Sequence, residues 1–136
     1  MEDPRQLHFS NPAGVAPPVG SYSHAAMIPS GVRLIVLAGQ IGMRPDGSIA
    51  KGFAAQFEAA LENVTTILRA QGAGPEHVVK LNTWIVQGTP IDYNEVTTIR
   101  ERLLGDVKPP STLAYVSHLF SPDLLVELEA WAATPE

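Results

Sequence analysis

Between residues 53 and 71 apolar side chains recur at three- and four-residue spacings. Phe53, Phe57, Ala60, Leu61, Val64, Ile67 and Leu68 form one stripe of an amphipathic helix. Gly72, Gly74 and Pro75 then stop it. Residues 33–39 and 78–86 are apolar runs of strand length, the pattern of strands covered on both faces. Asp92 stands where it can cap a second helix over 93–104, with Val96, Ile99 and Leu103 inward and Gly105 closing it. Residues 108–116 and 124–130 read as two more strands. In the last of these, Glu127 and Glu129 are two residues apart and therefore share a face. If these two strands pair, the hydroxyls of Ser111 and Thr112 come close to those carboxylates.

The order is strand, strand, helix, strand, helix, strand, strand, which predicts an α+β domain with a mixed sheet. Two helices can cover only one face of it. Since residues 34–37 and 78–86 look apolar on both faces, the other face is expected to pack against further subunits.

At 136 residues the chain reads as one domain over 1–136, with residues 1–20 forming an N-terminal loop and first strand. Residues 11–21 are rich in proline and glycine and predict a loop; Asp46-Gly47 predicts a turn. A net charge of −5, with nine scattered Lys and Arg, speaks against nucleic acid as a partner. No cysteine is present, so disulfides, thiolate catalysis and Cys-ligated metals are excluded. The apolar runs are too short to span a bilayer, and Met1-Glu2-Asp3-Pro4 is acidic where a signal peptide is basic. A cytoplasmic protein with no membrane partner is expected.

His8, His24, His77 and His118 lack metal-ligand spacing, so no metal is expected. No Gly-x-Ser-x-Gly elbow occurs, and Gly72-Ala73-Gly74-Pro75 follows a helix instead of opening one, so no phosphate-binding cofactor is expected either. Trp84 and Trp131 lie in apolar strands and read as core.

Several short motifs resemble those of the Rid family (YjgF, reactive intermediate deaminase; endoribonuclease L-PSP-like). They are Gly20-Ser21-Tyr22-Ser23-His24-Ala25, Leu37-Ala38-Gly39-Gln40-Ile41, the helix segment from Gln56 to Asn63, Val78-Val79-Lys80, Tyr93-Asn94-Glu95 and Val126-Glu127-Leu128-Glu129-Ala130. They fall in the family's order over about residues 9 to 132. The resemblance implies a chorismate-mutase-like α+β fold, a homotrimer and a small-molecule ligand held between subunits. It also implies cofactor-free hydrolysis of an imine or enamine such as 2-aminoacrylate. In such proteins an Arg grips the substrate carboxylate and a Glu orients the attacking water. The Glu maps onto Glu127. Tyr22, Gly39 and Asn94 fall at pocket-shaping positions, although Tyr22 also reads as a packed loop aromatic, Gly39 as a strand end and Asn94 as a helix-cap residue.

The family's Pro-Ala-Arg-Ser/Thr motif reads Pro109-Pro110-Ser111-Thr112 here, so the arginine position holds Ser111, or Pro110 with a shifted gap. An anionic substrate about 6 Å from Glu127 with no guanidinium beside it would be repelled by roughly 2–3 kcal/mol at an effective dielectric near 20. A neutral or cationic ligand is therefore expected, with 2-iminopropionate a poor substrate. The departure also keeps a second reading open: a non-catalytic member that binds a metabolite or a protein. Lys80 and Lys108 are candidate substitute cations.

Overall fold

The computed structural model describes residues 6–135. Glu2 and Asp3, on which the contrast with a signal peptide rests, lie outside the described residues. The elements in chain order are β1 (His8–Ser10), β2 (Ala25–Met27), β3 (Val32–Val36), β4 (Gln40–Ile41), α1 (Phe53–Ala70), β5 (Val78–Val86), α2 (Tyr93–Leu104), β6 (Ser111–Val116) and β7 (Val126–Pro135). A single 3-10 turn, Pro75–His77, leads into β5. The fold is α+β. β1 and β2 form a separate antiparallel pair around the 11–24 loop. The main sheet runs β3-β7-β5-β6, with β4 also on β7.

Both helices form as the pattern requires. α1 buries Phe53, Phe57, Ala60, Leu61, Val64 and Leu68 and lies over β7. α2 is capped by the Asp92 carboxylate, which accepts from the backbone N–H groups of Asn94 and Glu95 at 3.1 and 3.3 Å. That second helix is also the crossover that lets β5 and β6 run parallel, since parallel neighbours cannot be joined by a tight turn.

The last two strands do not pair with each other. β5 lies between β6 and β7, parallel to the first and antiparallel to the second. The sequence pattern could not reveal this, because either arrangement buries the same apolar residues. The stretch expected as one strand over 33–39 is also broken. From Val36 to Gln40 this edge advances four residues while β7 advances three, from Trp131 to Leu128. One residue is left over, a β-bulge at Ala38-Gly39.

Alternation along β7 separates the two faces of the sheet. Val126, Leu128, Ala130 and Ala132 are buried beneath α1, whereas Glu127, Glu129 and Trp131 point to the opposite, open face. Their register partners Trp84, Asn82 and Lys80 on β5 share that face, and so does Val36 on β3. Leu34, Val36 and Trp131 are 50, 57 and 42% exposed there. Within one protomer the tryptophans are therefore not in the helix-covered core, contrary to expectation. A period of two places both on the uncovered side.

A buried amide ties the core to two loops. Gln56 Nε2 donates to the carbonyls of Ala50 and Asp123 at 3.0 and 2.8 Å, and its Oε1 accepts from Leu125 N–H at 2.8 Å. Gly42 is needed beside it, because a Cβ there would stand 2.6 Å from both Cα and Cβ of Gln56. Replacing Gln56 by Leu would keep the bulk but orphan two carbonyls and an N–H, each costing about 1–3 kcal/mol when buried. Gln56→Leu should lower stability by about 3 kcal/mol or more, read as a fall in the urea midpoint followed by circular dichroism.

Candidate functional site

Glu127 sits in the central strand, half-buried on the open face. Its carboxyl group lies directly over the bulge: a Cβ built on Gly39 would fall 2.8 Å from Glu127 Cδ and 3.1 Å from Cγ. Any side chain at position 39 would push the carboxyl aside, which is the requirement for glycine here. No hydrogen bond or ion pair engages the Glu127 side chain among the described residues. A half-buried carboxylate on a mostly apolar surface, with its oxygens uncommitted, is free to accept protons from a ligand or a water.

The other expected site residues do not join it within the protomer. Ser111 is in register with Leu81, whose side chain is in the helix-covered core, and its Oγ donates to the Pro109 carbonyl at 2.9 Å. It therefore faces away from Glu127 and stands two strands off, about 10 Å at the usual spacing. Asn94 is exposed in the first turn of α2, where its carbonyl accepts from Thr98 Oγ1 at 3.0 Å. Tyr22 is half-buried in the 11–24 loop and meets the His24 ring edge-on at 5.7 Å. That loop is held at several points. His24 Nε2 lies 2.7 Å from the Ala16 carbonyl, and Arg100 Nη2 donates to the Ser21 carbonyl at 3.0 Å. Arg100 also reaches the Val107 carbonyl at 3.4 Å, so one guanidinium links the loop carrying Tyr22 to the segment that leads to Ser111. Burial lowers its pKa from the ordinary arginine value.

A second polar group lies on the open face, and of its members Asn82 is the one that the sequence reading did not single out. Asn82 Nδ2 donates to Glu129 Oε1 at 2.7 Å, and Lys80 Nζ donates to Thr112 Oγ1 at 2.9 Å. Lys80, Asn82 and Glu129, with His24, Pro110 and Trp131, bound a recess of about 600 Å³. The signal for it was present: Lys80 and Asn82 interrupt the apolar run 78–86 at a two-residue spacing, which places both on one face of the strand.

Comparison with known proteins bears on what this arrangement does. Residues 13–134 match the family model described as Endoribonuclease L-PSP. A RutC family protein of Pyrococcus abyssi is 32% identical over 117 residues, covering 85% of this chain and 87% of the relative. The human 2-iminobutanoate/2-iminopropanoate deaminase is 30% identical over 118 residues, covering 84% of this chain and 80% of that enzyme. Among solved structures, YyfB of Yersinia pestis, described as a protein of unknown function of the conserved Rid family, superposes with a TM-score of 0.82. It is 31% identical, and the match covers 93% of this chain and 98% of the other.

The contact between Gly39 and Glu127 gives a test. Because the clash of a new Cβ would be with the end of a flexible side chain, Gly39→Ala should cost no more than about 1 kcal/mol of stability. It should nevertheless displace the Glu127 carboxyl, seen as a changed side-chain position in a crystal structure alongside a nearly unchanged unfolding midpoint.

Proposed function

The chain belongs to the endoribonuclease L-PSP family, the Rid/YjgF proteins, and on that premise we propose that it hydrolyses a small imine or enamine in a cleft between subunits of a homotrimer. The observation that carries this reading is the uncommitted Glu127 carboxylate, seated on Gly39 at an uncovered sheet face. Glu127 takes a proton from water as the water oxygen attacks the electrophilic carbon of the C=N bond. Glu127 returns that proton to the nitrogen of the resulting carbinolamine, the C–N bond breaks and ammonia leaves, and the hydroxyl proton passes to the Glu127 carboxylate as the carbonyl forms. The family resemblance to the human deaminase supports the reaction class, and exposed Leu34, Val36 and Trp131 support burial of this face by further copies. Tyr22 would reach the cleft from a neighbouring subunit and Asn94 would line its rim, whereas Ser111 faces the helix side of its own sheet.

The specificity departs from that of arginine-bearing relatives. Ser111 spends its hydroxyl on the Pro109 carbonyl and offers no charge to a substrate carboxylate. A neutral or cationic imine therefore fits better than 2-iminopropionate. The same observation favours a second reading, in which the cleft binds a metabolite without turning it over. An RNA substrate fits poorly with a net charge of −5.

A panel of neutral and anionic imines, assayed for ammonia release, separates these readings. Neutral imines should be turned over faster than 2-iminopropionate, and Glu127→Gln should reduce turnover at least about a hundredfold. Ligand binding without turnover of any imine would favour the binding module.

Assembly is tested separately. Light scattering should give about three times the 14.6 kDa of one chain. Val36 is exposed in the protomer, so Val36→Asp should dissociate the assembly while circular dichroism of the fold persists.

A further inference from the structure

Residues 8–27 form an arm that the rest of the domain scarcely holds. β1 pairs only with β2, in a two-stranded sheet of their own. Strands of three residues cannot fix such a sheet in place by themselves. Between them the loop is tied to itself: Tyr22 N–H donates to the Gly20 carbonyl, Val19 N–H to Tyr22 Oη, and His24 N–H to Asn11 Oδ1. Towards the main sheet the arm leaves space. One recess of about 600 Å³ is lined by Ala26 of the arm and Trp131 of the sheet, and another of about 380 Å³ by Phe9 and Ala133.

Among the described residues, one hydrogen bond crosses from the arm to the rest of the domain, and it reaches the residue just before Tyr22. Arg100 Nη2, on α2, donates to the Ser21 carbonyl at 3.0 Å. The other terminal nitrogen reaches the Val107 carbonyl at 3.4 Å, so the planar guanidinium is fixed at two points. No carboxylate pairs with it among the described residues, and burial alone lowers its pKa. Withdrawing a charge from water with no anion beside it is unfavourable. A methionine would cover α2 as well without that cost, so helix packing does not account for the arginine. Its bond to the arm does.

We infer that Arg100 is a positioning residue for the cleft: through the Ser21 carbonyl it fixes where the arm, and Tyr22 with it, stands against the Glu127 of a neighbouring subunit. This rests on the reading of Tyr22 as a wall of that cleft. With the bond lost, the arm samples other positions, and binding weakens because the loop must be ordered each time a ligand enters. Glu127 and Gly39 belong to β7 and the bulge rather than to the arm, so the chemical step on a bound ligand is untouched. The signature is a raised KM at constant kcat.

Because the chain contains no cysteine, nitroxide labels can be placed at chosen positions alone. Paired labels at Val19→Cys, on the arm, and Thr97→Cys, exposed on α2, read the arm-to-helix distance without reference to turnover, in assemblies diluted with unlabelled chain. Arg100→Met should broaden that distance distribution at least about twofold, and Arg100→Lys, which keeps the charge but not the fork, should fall between. The unfolding midpoint and the assembly should stay as they are in the native protein. With a neutral imine, Arg100→Met should raise KM at least about tenfold and leave kcat within about twofold. Tyr22→Ala should raise KM likewise, and adding Arg100→Met to it should raise KM no further. An unchanged distance distribution would overturn the inference, as would additive effects of the two substitutions, a fall in kcat at constant KM, or dissociation of the assembly in Arg100→Met. If the native protein turns over no imine, the hydrolase reading fails, and the distance distribution alone then decides whether Arg100 fixes the arm.

Discussion

Everything in this fold hangs on the two-residue alternation of β7. The strand pairs with β3 and β4 on one side and β5 on the other, so it is the spine of the sheet. One set of its side chains fills the core beneath α1, and the other set, two carboxylates and an indole, faces outward. A register slip of one residue would exchange the two sets, burying Glu127 and Glu129 under the helix at prohibitive cost. The residues that make the strand chemically interesting are thus the ones that forbid any other register.

The bulge at Ala38-Gly39 works with this constraint. An uninterrupted edge strand would carry a side chain over Glu127. The extra residue bends the edge and puts a glycine there instead, so the carboxyl group rests against backbone. A site is produced where three local features coincide: an acidic residue in the central strand, an irregular neighbour and an uncovered face. The polar set of Lys80, Asn82, Glu129 and Thr112 lies further along the same face and shares none of its hydrogen bonds with Glu127.

The sequence made the helices legible almost to the residue, because each carries its own start and stop chemistry: Asp92 and Gly105 around α2, Gly72 and Pro75 after α1. Facial assignment of Glu127 and Glu129 was equally plain, since it depends only on spacing within one strand. What could not be read was which strands are neighbours. Ser111 and Glu127 look adjacent in the chain's last third, yet β5 stands between them, and only long-range pairing decides that. Trp84 and Trp131 were misplaced for a related reason. An indole reads as core, but the sheet has a second face whose covering is not encoded in a single chain's periodicity. Asn82 and Lys80 were visible as polar interruptions, but their meaning depended on register with β7.

The position of β7 in the chain has a kinetic consequence. The strand at the centre of the sheet is also the last of the described strands to be synthesised, and β3 and β5 touch each other only through it. During translation α1 and β5 would wait with one flank of their core unfilled, and β3 and β4 would be edges without a partner. Closing the sheet therefore requires contacts spanning about a hundred residues, from Val32 with Pro135 to Ile41 with Glu127. Such a nascent chain exposes apolar strands until late. Its handling by the cell before β7 is made should matter as much as the stability of the finished protomer.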